Sequence, residues 1–393
     1  MTDYSAAATE LTPEQLFDFY AETREHPISY STAHGGFWMV SRYQDVMRVL
    51  KDTEGFSVEK SKGGGLYIPP YEAETVFMEY DNDIRRHYKR MLQRFFTSAA
   101  VDGMSDRIAQ VTNDALDAVI AQGEFDLVHD LAELVPAKVT LGILGFPTEE
   151  WRRFAEPQHM LFYVHPGHPE YDDMLVKDQW VRDRVWEIIE ERKAEPRDDV
   201  ASHLLGVKES EAITDKDVFI MLHQLILGGL ETVGNQISHN LVYLDRDRAA
   251  RRQLIDHPEL IPAAVEELLR LAATVHAMAR TVTRDTELGG QHLKVGDRVL
   301  VMFAAADRDD REFADADQFV CPREANRHVA FSFGDHFCMG AWLARKELKT
   351  VTATVLDRMP NYEVDYDRAV QYPVRGLMNG WVTAPARVGE GAR

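Results

Sequence analysis

Apolar residues recur at helical spacing through the middle of the chain and give way to short apolar runs toward both ends. From about Ile84 to Ala273 the pattern predicts helices over Ser105–Ala121, Leu131–Gly145, Glu149–Tyr163 and Tyr171–Lys193, with Val164–Pro169 (VHPGHP) as a hinge or lid. Thr214 and Asp217 form a capping box that opens a long central helix. Its apolar stretch, Val218–Leu244, carries His223, Gln224, Glu231, Asn235, Gln236 and His239, too many polar groups to face lipid. It is read as a helix through a protein core. Near the start, Thr12-Pro13-Glu14 opens a helix to Glu25, Phe37–Val40 reads as a strand and Tyr43–Lys51 as a helix. Ser57–Tyr80 lacks periodicity and contains Gly63–Gly65 and Pro69-Pro70, marking a functional loop. Past Ala273, strands return at Arg280–Val282 and Val299–Met302, and a helix follows Gly340 to Met359. The expected fold is mainly α with a smaller β portion (α+β), in a single domain over 1–393.

Composition narrows the function. The chain has 393 residues, 45% of them hydrophobic, enough for a large core. Its formal net charge of −21 repels phosphate, which argues against nucleic acid and anionic membrane as partners. Met1–Glu10 is polar and lacks the apolar core of a signal peptide. Cys321 and Cys338 are too few for a disulfide framework or a four-cysteine zinc site, so a reducing cytoplasm is expected.

The candidate chemistry centres on Phe331-Ser332-Phe333-Gly334-Asp335-His336-Phe337-Cys338-Met339-Gly340. Cys338 stands just before a helix, where the dipole and free N–H groups favour a thiolate. Gly334 and Gly340 clear side chains on either side of the sulfur, so a large flat ligand can approach the backbone. A thiolate that donates charge to iron suits O–O bond cleavage. The competing readings are an inert buried cysteine and a cysteine nucleophile with His336 as its base.

This segment resembles the heme-binding loop of the cytochrome P-450 family, Phe-x-x-Gly-x-x-x-Cys-x-Gly, through Phe331, Gly334, Cys338 and Gly340. Ser332 departs from it, since most bacterial members have glycine there. The resemblance implies a long central helix over heme b, with Cys338 as axial iron ligand and His336 on a propionate. Other motifs follow in the family's order. Gly228-Gly229-Leu230-Glu231-Thr232 is similar to its oxygen-binding groove. There Thr232 would hold a distal water and Glu231 would relay protons. Two glycines inside a helix cost about 1 kcal/mol each relative to alanine, so a widened turn or a close helix crossing is expected. Glu267 and Arg270 match the family's Glu-x-x-Arg, with Arg323 completing a structural network. Arg280 stands where the family binds a propionate, and guanidinium suits a buried carboxylate. The family's His-x-x-x-Arg maps onto Arg85 and Lys89, both departures that keep a cation. The resemblance spans essentially the whole chain and is nearest the bacterial camphor-hydroxylase type.

The implied reaction is oxidation, typically hydroxylation, of a small apolar molecule with O2 and two electrons from a separate ferredoxin and ferredoxin reductase. Arg85–Arg94 holds five cations and no acid in ten residues. With Arg345, Lys346 and Lys349 it would dock the acidic donor. Substrate-facing candidates are Tyr67, Ile68, Phe77, Gln224, Leu227, Gly228, Val275, His276, Met278, Leu377 and Met378. A peroxygenase or oxidative-coupling enzyme on the same fold is one alternative, and a non-enzymatic heme-binding sensor is another. Glu231 and Thr232 favour the oxygen-dependent reaction.

Overall fold

The computed structural model describes residues 13–68, 75–76, 78–372 and 378–393. Thr12, Phe77 and Leu377 therefore lie outside the described residues. The chain organises into two compact units. One comprises Met1–Tyr88, Pro262–Cys338 and Pro373–Asn379; the other comprises Lys89–Ile261, Met339–Tyr372 and Gly380–Arg393.

The first unit is built on a five-stranded sheet. Its order in space is Ser29–Ser31, Phe37–Val40, Arg298–Met302, Ala277–Val282, Phe56–Ser57. All neighbours are antiparallel except Phe37–Val40 and Arg298–Met302, which pair in parallel with Trp38 opposite Val299. These two strands are nearly continuous apolar runs because both of their faces are covered. One face packs on the helix Tyr43–Lys51 through Val46, Val49 and Leu50. Another cluster joins Met39, Leu300 and Met302 to Leu16, Phe19 and Tyr20 of the helix Pro13–Glu25. The long loop after Phe56–Ser57 is tied down from within. Glu79, buried, accepts from the Leu66 N–H at 2.9 Å, and Arg298 donates to the Gly65 and Tyr67 carbonyls at 2.7 and 3.0 Å.

The second unit is helical around Asp215–Arg246. Thr214 and Asp217 make the reciprocal capping box, with Asp217 N–H to the Thr214 hydroxyl at 3.2 Å and Thr214 N–H to the Asp217 carboxylate at 2.8 Å. This helix is long and apolar enough to cross a membrane, yet half of its most apolar window is buried in protein. Its buried positions include Glu231, Asn235, Gln236 and Asn240, as expected of a core helix.

Two predicted helices start or end elsewhere. Leu131–Gly145 becomes a π-helical turn, Leu127–Ala132, followed by the helix Leu134–Leu144. The Asp126 carboxylate takes the Val128 and His129 N–H groups at 2.9 and 3.2 Å, so the first turn winds from Asp126. Glu149–Tyr163 contracts to Trp151–Met160, with Pro157 inside it and turns after it.

Candidate functional site

Cys338 lies in the first unit, at the end of a loop shaped by its backbone. Gly334 has φ of +69°, and a Cβ there would sit 3.0 Å from the Leu50 carbonyl oxygen, so glycine is required twice over. The Cys338 N–H closes the loop on the Phe331 carbonyl at 2.9 Å. Ser332 has φ of +60°, a left-handed conformation that glycine adopts without cost, which explains the family's preference at this position. The cysteine is exposed, as are Phe333 and Phe337, while a Cβ on Gly340 would meet nothing within 4 Å. The helix Ala341–Arg358 begins three residues beyond the sulfur.

Beside this open apolar rim lies buried positive charge. Arg85 and Arg280 are 6% and 3% exposed, and the His336 side chain is 10% exposed. Burial pushes the Arg280 guanidinium down to about 10, against the pull of Asp81. Burial likewise lowers Arg85, against Asp335, Cys338 and Asp81. The His336 imidazole is pushed down to about 4 by burial, the nearby Asp81 carboxylate resisting the shift. Asp81 is the acid set among them. It accepts from the Ser57 hydroxyl at 2.5 Å and lies 3.6 Å from His336 Nε2. Arg280 donates to its neighbour's carbonyl, Ala279 O, at 2.8 Å, and Arg85 Nε has no hydrogen-bond partner among the described residues. Two buried guanidiniums and an imidazole set around Asp81, with Asp335 acting on Arg85 only, are short of buried anions. A flat apolar cofactor with carboxylate arms, seated on an exposed cysteine, supplies what is missing, so these residues fit heme. Lys89, half-buried one helical turn beyond Arg85, falls in the second unit.

Glu267, Arg270 and Arg323 come together in the first unit. Arg270 donates to both Glu267 carboxylate oxygens at 3.0 and 2.7 Å, and Arg323 does so at 2.9–3.2 Å. Val320 N–H and the Asn326 amide complete the carboxylate's shell. The substrate candidates divide. Val275, Met278 and Tyr67 keep partial exposure, and Met378 is buried, bridging to Val275. His276 is buried and turned onto the N-terminal helix, its Nδ1 2.9 Å from the Tyr20 hydroxyl.

In the second unit the two glycines of the central helix do different things. A Cβ on Gly229 would strike Thr140 at 2.7 Å, the close helix crossing, whereas one on Gly228 would meet nothing within 4 Å. The helix runs unbroken through both. Thr232 returns its hydroxyl to the Gly228 carbonyl at 2.8 Å, and Leu227 is half-buried beside it. Gln224 is buried. Glu231 is buried and held in a polar cluster that sequence reasoning missed. Asn235 donates to it at 2.7 Å, Tyr372 bonds it through its hydroxyl, and His159 Nδ1 lies 3.2 Å away. Glu133 lies 2.9 Å from the same His159 nitrogen, and His129 bonds Glu133 at 3.2 Å. The signal was there only as His129 and Glu133 at i and i+4; His159 is a single histidine on another helix.

An exposed cysteine in a glycine-shaped loop, anion-seeking cations beside it, and an acid–alcohol pair on a core helix define a heme-thiolate protein. The sequence pattern of the cytochrome P450 family matches residues 242–383. The chain is 32% identical over 330 residues to nocardicin C N-oxygenase of Nocardia uniformis, covering 82% of each. It is 31% identical over 356 residues to the steroid C26-monooxygenase of Mycolicibacterium smegmatis, covering 89% of this chain and 87% of that one. CYP109E1 from Bacillus megaterium, solved in complex with testosterone, superposes with a TM-score of 0.84 at 28% identity, covering 95% and 97% of the two chains. The chain belongs to the cytochrome P450 family. It is a heme-thiolate monooxygenase with the α+β fold of that family, and its cofactor is heme b.

Proposed function

We propose that Cys338 ligates the iron and that Arg280, Arg85 and His336 hold the propionates, with Lys89 as a further cation on the same helix. The observation that carries this reading is the anion-poor cluster of Arg85, Arg280 and His336 around Asp81. The bound heme supplies the iron at which O2 is split, one oxygen entering the substrate and the other leaving as water. The residues of the chain do the rest. Thr232, one turn from Gly228, holds a water on the open side of the central helix, and Glu231 hands protons toward it. Gly340, where a side chain would meet nothing within 4 Å among the described residues, leaves room for the ring, and Gly334, turned against Leu50, shapes the loop that starts at Phe331. Glu267, Arg270 and Arg323 fix the backbone behind the cysteine. Leu227, Gly228, Val275, Met278 and Met378 offer the apolar contact that selects substrate, with Tyr67 and Gln224 able to orient it. His276, bonded to Tyr20, acts by holding that wall in place.

The substrate class is a small apolar molecule. The relatives' names point to steroids as first probes. Electrons come one at a time from a separate ferredoxin and its reductase, docking on Arg85–Arg94 and Arg345–Lys349, and the two units act as one cytoplasmic catalytic domain. The test is spectroscopic. Reduced, carbon monoxide-treated holoenzyme shows the red-shifted Soret band of sulfur ligation, and Cys338→Ser abolishes it while Cys321→Ser does not. Testosterone and a library of apolar compounds are then screened for conversion of the iron from low to high spin. A normal band in Cys338→Ser would sink the assignment.

A further inference from the structure

Glu231 does not face water. It is 3% exposed, and its partners Asn235, Tyr372 and His159 are buried as well. An acid that hands on a proton must be resupplied, so its buried partners have to carry protons. Resting on the reading of Glu231 as the proton donor above, we propose that His129, Glu133 and His159 form the inlet that resupplies it.

The geometry has three features that suit this role. First, the chain reaches solvent. The His129 side chain is 36% exposed, against 9%, 3% and 2% for Glu133, His159 and Glu231. Its Nδ1 lies 3.2 Å from Glu133 Oε2, one turn along, positioned by the N–H that His129 gives to Asp126. Second, a single nitrogen faces both acids. His159 Nδ1 lies 2.9 Å from Glu133 Oε1 and 3.2 Å from Glu231 Oε1. Glu231 Oε1 lies on the hydrogen-bonding direction of Nδ1 and Glu133 Oε1 lies off it, so a proton crosses with the ring tilting and not turning over. Third, the other ring nitrogen is fixed. His159 Nε2 lies 3.2 Å from the Val382 carbonyl, which only accepts, so Nε2 keeps its hydrogen and Nδ1 is the atom that exchanges.

The step balances within the cluster. The Nδ1–H bond of the His159 imidazolium breaks and an O–H bond forms on Glu231, leaving neutral imidazole with an Nδ1 lone pair. The Tyr372 hydroxyl, 2.9 Å away, donates to that lone pair until a proton arrives. Glu133 takes a proton from His129 at Oε2 and turns about Cγ–Cδ, which carries that protonated oxygen to the side of His159, where it releases the proton to Nδ1. His129 recovers its proton from water. One proton has moved inward and no charge is stranded.

The resting charges agree. Burial would lower His159, but Glu231 and Glu133 outweigh it and raise it well above the ordinary histidine value. Burial would raise Glu133, but charged His159 and the bond from His129 hold it down at about 2. His129 is also raised: burial opposes, and Glu133 and Asp126 prevail. Tyr163 lies across the His159 ring and Asn235 bonds Glu231, while Asp130, beside His129 in the chain, pairs outward with Arg152 at 3.7 Å. The inlet is therefore loaded, with His159 a cation beside ionised Glu133.

The test uses holoenzyme with spinach ferredoxin and ferredoxin reductase, scoring hydrogen peroxide released per NADPH oxidised and the solvent deuterium isotope effect. Glu231→Gln, His159→Gln, Glu133→Gln and Tyr372→Phe are compared. His159→Gln and Glu133→Gln are expected to raise the peroxide share about threefold or more, approaching Glu231→Gln, and to change the isotope effect. Tyr372→Phe, which keeps all three relay groups, is expected to change it less. A peroxide share raised by Glu231→Gln but untouched by His159→Gln overturns the inlet and leaves the Glu231 reading standing. A share untouched by Glu231→Gln overturns both. Nitrogen-15 NMR of histidine-labelled, reduced, carbon monoxide-bound holoenzyme gives a readout independent of turnover. His159 is expected to titrate well above the ordinary histidine value, held charged by Glu231 and Glu133. A His159 that titrates at or below the ordinary histidine value overturns the proposal.

Discussion

Gly229 lies so close to Thr140 that a methyl group on it would come within 2.7 Å of the Thr140 hydroxyl and 2.9 Å of its methyl carbon. The next residue toward the N-terminus, Gly228, faces open space. The pair therefore predicts opposite outcomes for the same substitution. Gly228→Ala is expected to raise stability by up to ~1 kcal/mol, from helix propensity alone. Gly229→Ala gains the same propensity but overpacks the crossing at about 1–3 kcal/mol, a net loss. In a Thr140→Ala background the Gly229→Ala penalty should vanish, as coupled neighbours require. Thermal melts of the four variants check this. An equal response at the two glycines would rule out the close crossing.

Glu267 accepts from two guanidiniums while itself fully buried, and Arg270 is equally buried. Removing one partner strands charge in the interior, so Glu267→Gln or Arg323→Met is expected to cost about 3–5 kcal/mol. Burial would raise the Glu267 carboxyl, but the bonds from Arg270 and Arg323 hold it below its ordinary value. Its folded pKa is thus lower than its unfolded one. The stabilisation is present above the unfolded pKa of about 4.3 and is lost as pH falls through the folded value. Urea midpoints measured from neutral to acid pH should converge for wild type and Glu267→Gln.

Local chemistry was legible in the sequence where it is written in neighbouring residues. The strand Phe37–Val40, the helix Tyr43–Lys51 and the box of Thr214 with Asp217 stand where pattern and capping placed them. Gly334 was read as clearing space beside the sulfur; the structure instead gives it φ of +69° and sets its missing side chain against the Leu50 carbonyl, a contact between distant segments. What stayed hidden joins distant segments. Asp126 captures two N–H groups and starts a π turn, a competition between side chain and backbone that periodicity does not record. His159 meets Glu231 from 72 residues away, and no spacing rule connects them.

Glu347 is 1% exposed on the helix Ala341–Arg358, and neither carboxyl oxygen has a hydrogen-bond partner among the described residues. Burial pushes its carboxyl well above the ordinary value, so it is folded in as the neutral acid. The unfolded chain ionises above about pH 4.3 while the folded one keeps its proton. Stability therefore falls as pH rises from there toward the folded value. Glu347→Met fills similar volume without a polar group and is expected to gain about 1–3 kcal/mol at pH ~8, and less at pH ~5. Chemical denaturation at both pH values checks this. A variant less stable than wild type at the higher pH would mean that the carboxyl has a partner after all.

Donor docking can be tested through the salt dependence of electron transfer. The chain carries a net charge of −21, so an acidic ferredoxin is repelled except where cations gather. The gathered cations are partly neutralised within each unit. Arg86 bonds Asp83 and Asp335, Arg90 pairs with Glu211 at 3.1 Å, and Lys346 pairs with Asp102 at 2.8 Å. Arg90 and Glu211 make an exposed pair, worth little to stability. Arg90→Glu should then leave the melting temperature nearly unchanged while reversing the charge offered to a donor. Glu211→Gln, which removes the negative charge that Arg90 pairs with at 3.1 Å, should do the opposite. We expect ferredoxin-driven reduction to slow about tenfold in Arg90→Glu and to speed up in Glu211→Gln at low ionic strength, the differences shrinking as salt is added. Stopped-flow reduction under carbon monoxide measures this directly, with dithionite reduction as the control that docking does not affect. If both variants follow the wild-type salt curve, the donor binds elsewhere, and the cations of this helix serve only their internal acids.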